Sequence, residues 1–198
     1  MDRIQFIKND VTCEFIFQTD EYAEANLLSR SIMSEIPTYA IDICSVDINT
    51  TIRHDEVICF RLGQCPIVQN TLVLNEKDEF KTRIEIDAKE NMDFTTDDIK
   101  DITFAYKFKI ARLLAGQKLY MDLIVKKGIA RTHVKWRPVS TVGVIPYEGG
   151  FKLVFKNKGM MSNEEIIEKG LENMIVAANR QPSTLFTKIM LPSNYKVD

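Results

Sequence analysis

From Glu21 to Ile36 apolar residues recur three or four apart, at Tyr22, Ala25, Leu28, Ile32 and Ile36. That spacing forms one stripe and predicts a helix of about four turns. Thr19 and Asp20 are suited to cap its start. Pro37 ends it, because the residue before a proline is pushed out of the helical region. Upstream, the run 11–18 (Val-Thr-Cys-Glu-Phe-Ile-Phe-Gln) predicts a strand. Downstream, Ile41 to Ile48 alternates, with a slip in phase near Ser45 that predicts a bulge.

Asp55 to Leu62 predicts a short helix stopped by Gly63 and Pro66. β-like runs follow at Val68–Leu74, Arg83–Asp87 and Leu119–Val125, and in the last Leu119, Met121, Leu123 and Val125 share one face. Residues 88–101 are acidic and polar, with Thr95-Thr96-Asp97-Asp98 as a turn or cap, and Ala115-Gly116-Gln117 reads as a turn. Glu148-Gly149-Gly150 breaks the chain before Phe151 to Phe155 alternates again. Ser162 and Glu165 then form the S-x-x-E capping box of a helix start. Ile167, Gly170, Leu171, Met174, Ile175 and Ala178 make one apolar face on that helix, which Gln181-Pro182-Ser183 ends. A mid-helix glycine costs ~1 kcal/mol against alanine and is tolerated where another backbone comes close. The pattern fits packing on the chain's own sheet and packing across a subunit boundary equally well.

A length of 198 residues suits one ordinary domain or two small ones, and 45% hydrophobic with 27% charged residues is a globular composition. A net charge of −2 argues against a protein whose main task is coating nucleic acid, since that affinity comes from neutralising many phosphates. Cys13, Cys44, Cys59 and Cys65 contain no CxxC pair and read as reduced, packed thiols. A zinc site from His54, Cys59 and Cys65 would lack a fourth ligand. The start Met1–Phe6 lacks a signal-peptide core, and no apolar run approaches the ~20 residues that span a bilayer. The expectation is a soluble intracellular chain with no membrane contact. Nucleotide-binding, metalloprotease and nucleophile-elbow motifs are all absent from the sequence. The basic segment Lys126–Arg137, with Arg131, His133, Lys135 and the only tryptophan, Trp136, has two readings. It is either a nucleic-acid patch with a stacking aromatic or a protein-docking loop carrying hot-spot residue types.

Three long segments resemble one family. Ala25, Asn26, Leu28, Arg30, Ser34, Glu35, Pro37, Thr38, Ala40, Ile41 and Asp42 match A-N-A-L-R-R-I-M-I-S-E-V-P-T-x-A-I-D without a gap. Asn49, Thr50, Thr51, Asp55, Glu56, Ile58, Arg61, Leu62, Gly63 and Pro66 meet N-T-[ST]-x-x-x-D-E-x-I-x-x-R-L-G-x-x-P. Gly116, Gln117, Leu119, Lys126, Lys127, Gly128, Ile129, Ala130, His133, Lys135, Trp136 and Pro138 meet G-Q-x-[IL]…K-K-G-I-A-K-x-H-A-K-W-x-P. These are the patterns of the α-like assembly subunits of multisubunit DNA-dependent RNA polymerases, in their archaeal and eukaryotic branch.

The resemblance implies an α+β fold. A discontinuous dimerisation domain (1–50 and 148–198), an antiparallel sheet with packed helices, is interrupted by a mostly β insert domain (51–147). It implies a non-catalytic scaffold that pairs with a smaller α-like subunit, of the archaeal L or eleventh-subunit type. The final helix, through Ile167, Gly170, Leu171, Met174, Ile175 and Ala178, resembles the dimerisation helix. By matching position, Arg30, Arg61, Arg131, His133, Lys135, Trp136 and Arg137 are expected to dock the second-largest, β-like subunit, among other polymerase subunits. No cofactor, metal or direct nucleic-acid contact is expected. The alternative is a free-standing nucleic-acid-binding module using Lys126–Arg137. Departures are Ser29, where the family often has a first arginine, and the lack of a cysteine-rich zinc loop or iron–sulfur pattern. The short connection from Val139 to Phe151 marks a compact member that would suit a large DNA virus. Cytoplasm or virion would then be the compartment, or the nucleus for a cellular eukaryotic protein.

Overall fold

The computed structural model describes residues 4–9, 11–69 and 79–179. Its strands and helices run β1 (Ile4–Asn9), β2 (Thr12–Phe17), α1 (Tyr22–Ser34), β3 (Thr38–Asn49), α2 (Asp55–Gln64), β4 (Glu79–Asp87), β5 (Met92–Thr95), β6 (Lys109–Leu113), β7 (Lys118–Gly128), β8 (Val139–Tyr147), β9 (Gly150–Asn157) and α3 (Asn163–Asn179). This is an α+β architecture with antiparallel sheets, as the sequence predicts.

Two cores form. In the first, β1-β2-β9-β8 make one sheet with α1 against it and α3 packed on α1. Alternation along β2 points Cys13, Phe15 and Phe17 inward, where they meet Leu153 and Phe155 of β9 and Leu28, Ile32 and Ile36 at α1. In the second, β3-β7-β4 make a sheet whose inner face carries the fully buried Leu119, Met121, Leu123 and Val125. Ile58 and Leu62 of α2 and Phe94 of β5 close that core. Residues 38–49, which the resemblance groups with the N-terminal segment, pair with β7, and residues 139–147, which it groups with the middle, pair with β9. The backbone therefore crosses between the cores near Pro37 and Pro138. Pairing across the sheet, invisible in a local pattern, decides this.

Other differences are local. The helix expected from Glu21 to Ile36 is Tyr22–Ser34, with Glu21 at its cap position. The Thr19 hydroxyl supports that start indirectly, accepting from the Glu21 N–H at 3.2 Å and donating to Glu24 Oε2 at 2.7 Å. In β3 the register slips twice, between Ile41 and Ile43 and between Val46 and Ile48, flanking Ser45. Each slip turns side chains to the other face. Strands β1, β5, β6 and β8 have no counterpart in the sequence reading, and most of the stretch read as a short connection from Val139 to Phe151 is strand β8. Thr95 and Asp98 form a reciprocal capping box on a short 3-10 turn, Thr96–Asp98. Gly116 supplies the positive φ, 85°, of the expected turn before β7. Of the expected run Val68–Leu74, Val68 and Gln69 lie outside any strand, and the rest is outside the described residues. The expected helix stop at 181–183 and the tail after it are likewise outside them. Among the described residues, no helix is long and apolar enough to cross a membrane.

Candidate functional site

The basic segment after β7 folds back as a clasp. Trp136 is only 7% exposed, and its ring lies against Gly128, where any side chain would collide with it. The indole Nε1 donates to the Lys126 carbonyl at 3.1 Å, and the Trp136 carbonyl accepts from Thr38 Oγ1 at 2.6 Å. Lys135 sits over the ring, 4.5 Å from its centroid, and pairs with Asp42 at 2.6 Å. Its side chain is 11% exposed. His133 Nδ1 accepts from the Lys135 N–H at 3.1 Å and caps the 3-10 turn Val134–Trp136. Three of the expected docking residues, His133, Lys135 and Trp136, therefore hold the clasp together. A base-stacking role for Trp136 does not survive, since a stacking platform must present its ring to solvent.

Arg61 does not join them either. It belongs to α2 in the second core, where its Nη1 donates to the Ile110 carbonyl at 2.7 Å.

What the fold does gather is a basic margin along the C-terminal half of α1. The Arg131 N–H donates to the Ser34 carbonyl at 3.2 Å, and its guanidinium grips Glu35 Oε1 with both Nε, at 3.1 Å, and Nη2. Arg137 Nη2 reaches the Met33 sulfur at 2.9 Å. Arg30, one turn back from Met33, is exposed. Arg30 and Arg131 border an open groove of about 990 Å³ between α1 and α3. Ala23, Leu27, Val176 and Ala177 supply its apolar surface.

The expected capping box opens α3. The Ser162 N–H donates to Glu165 Oε2 at 3.0 Å, and the Glu165 N–H donates to Ser162 Oγ at 3.2 Å. Of the apolar face named from the sequence, Ile167, Gly170, Met174 and Ala178 are buried in the described chain. A Cβ at Gly170 would lie 2.6 Å from Ile32 Cγ1 and 3.6 Å from Leu28 Cδ1, so the glycine lets α3 close on α1. The close neighbour is thus the chain's own first helix. Leu171 and Ile175 are half-buried, and Val176, one position off the expected stripe, is 48% exposed. Val176 and Asn173, which donates to the Glu35 carbonyl at 3.3 Å, were missed because they count as polar or off-phase in the pattern.

Burial pushes the thiols of Cys13 and Cys65 up to about 11, and burial followed by the neighbouring Cys59 takes Cys44 to about 12. Such thiols are inert. Among the described residues no group of three His, Cys, Asp or Glu side chains is placed to hold a metal.

No family model matches the chain. Individual proteins do. It is 24% identical over 231 residues to subunit 3 of DNA-directed RNA polymerases II, IV and V from Arabidopsis thaliana, covering 99% of this chain and 72% of that protein. It is 29% identical to DNA-directed RNA polymerase II subunit RPB3 from Schizosaccharomyces pombe, over 68% of this chain and 55% of that one. It is 28% identical to DNA-directed RNA polymerase subunit Rpo3 from Methanocaldococcus jannaschii, over 80% of this chain and 83% of that one. The chain thus spans between 55% and 83% of the length of these relatives. With the three motifs folded into one clasp, one helix and one loop-helix start, this kinship assigns the chain to the α-like, subunit 3 family of multisubunit DNA-directed RNA polymerases.

Proposed function

We propose that the chain serves its polymerase as a non-catalytic assembly subunit. The observation that carries this is the alignment of 99% of the chain with a polymerase subunit 3. In this reading the first core is the dimerisation domain and the second the insert domain, with crossovers near Pro37 and Pro138 in place of the bounds at 50 and 147. The groove between α1 and α3 receives a helix of a smaller α-like subunit of the L or eleventh-subunit type. Its apolar surface and the exposed Val176 support that occupant, since a helix lays its apolar face into such a groove. Arg30, Arg131 and Arg137 on the adjoining margin face the second-largest, β-like subunit. His133, Lys135 and Trp136 act by holding that margin in place, and Arg61 by holding α2.

The relatives named above are plant, fungal and archaeal, so a viral source is no part of the proposal. The compartment follows that of the polymerase.

Affinity purification of the tagged chain from its source, with mass spectrometry of the bound proteins, tests the reading. Recovery of two very large polymerase subunits and one small α-like chain is the expected result. Recovery of the chain alone, or with nucleic acid only, would sink it.

A further inference from the structure

Around the clasp most cations end on a carboxylate. Arg131 reaches Glu35, Lys135 reaches Asp42, and Lys126 reaches Glu79. Arg137 and Lys158 do not. The guanidinium of Arg137 offers five N–H donors, yet its one side-chain partner among the described residues is the Met33 thioether, a weak acceptor. The Lys158 ammonium has no hydrogen-bond or ion-pair partner among the described residues. Both side chains are half-buried.

The backbone holds them together. Val139 of β8 pairs with Asn157 of β9, and the Lys158 N–H donates to the Pro138 carbonyl at 2.9 Å. Burial first, and the Arg137 charge second, push the Lys158 ammonium below the usual lysine range. Two like charges half out of water without a counter-ion are unfavourable. An anion between them would relieve both.

We propose that Arg137 and Lys158, beside Met33 of α1, form a notch that accepts a carboxylate-bearing segment of a neighbouring polymerase subunit. The notch rests on the assembly reading above and adds Lys158, which neither motif nor margin includes. A guanidinium grips a carboxylate with two parallel N–H bonds, and an ammonium alongside adds a second donor for an acidic side chain. Nucleic acid fits less well. It needs a track of cations, whereas the flanking Arg131 and Lys135 are already taken by Glu35 and Asp42.

The test uses the full chain and a fluorescent glutamate decapeptide, followed by anisotropy. Wild type is expected to bind in a salt-sensitive manner. Arg137→Met and Lys158→Met should each weaken binding about tenfold, the scale of one charge-assisted bond, and Arg83→Met should not. The unfolding temperature of Lys158→Met should equal or exceed that of wild type, because a half-buried charge is removed. A residue kept for structure alone would show the reverse. Equal binding by wild type and both notch variants would overturn the proposal, and so would equal weakening by Arg83→Met. Tighter binding of a single-stranded oligonucleotide through the same two residues would overturn it in favour of nucleic acid. In purification from the source, Lys158→Met should lose the large subunit at moderate salt and keep the small α-like one. If wild type itself brings down no polymerase subunit, the assembly reading fails, and the peptide measurement still decides the notch.

Discussion

The outer face of the β3-β7-β4 sheet and the margin of the clasp are both rich in charge, but they use it differently. On the sheet, Arg83 lies directly opposite Asp122, Lys118 opposite Asp87, and Lys126 opposite Glu79. Arg83 touches Asp122 at 3.0 Å, Asp47 at 2.8 Å and Glu85 at 2.7 Å, and the two lysines each reach their partners at 3.0 Å. The pairs with Asp122, Asp87 and Glu79 are cross-strand pairs that the register itself creates. At the clasp, Arg137 and Lys158 reach no carboxylate among the described residues. The comparison teaches that the number of charges does not mark a docking surface. Under the proposal above, charges left without a counter-ion do.

The largest effect that would break this contrast comes from Trp136→Ala. It empties a buried site and removes the bond to Lys126. Urea unfolding should show a loss of about 3–5 kcal/mol, as for other buried aromatics. A loss below ~0.5 kcal/mol, the range of surface substitutions, would mean that the clasp is not built around the indole. Next is Val176→Glu on the groove. Its side chain is half exposed, so the unfolding temperature should hold while the small α-like subunit disappears from the purified complex. Retention of that subunit would remove the groove from the interface.

The sheet offers smaller effects. The Tyr120 hydroxyl first, and Lys118 next, hold the Asp87 carboxyl below its ordinary 3.8. A lowered folded value means that folding favours the ionised form. Its contribution is present above pH 3.8 and is lost as pH falls through the folded value. The stability difference between wild type and Asp87→Asn should therefore be visible at pH 7 and close in acid. A difference that persists at pH 2 would contradict the linkage. The smallest change is expected for Arg83→Met, because exposed ion pairs contribute little. The purified complex should keep its full composition. Loss of a large subunit from this variant would erase the distinction between the two surfaces.

Much of the fold is legible in the chain. The stripe of α1, the single face of Leu119, Met121, Leu123 and Val125, and the Ser162–Glu165 box depend on periods and contacts within a few residues. Strands β5 and β6, of four and five residues, are less legible because they are too short for a period to stand out. The candidate site is legible by kind and not by place. His133, Lys135 and Trp136 stand out as unusual residue types, yet the fold uses them inward. Arg61 shares a motif with true helix-core positions and serves the same core.

By itself, the sequence determined the family and the α+β class. Long collinear motifs and local periodicity are properties of neighbours along the chain. The tertiary structure alone decided which side of α3 is spent on α1, where the backbone passes between the two cores, and which cations remain unpaired. Those outcomes depend on groups brought together from far apart, such as Arg137, Met33 and Lys158. A local pattern records a side chain's charge, but only packing sets whether an opposite charge lies within reach.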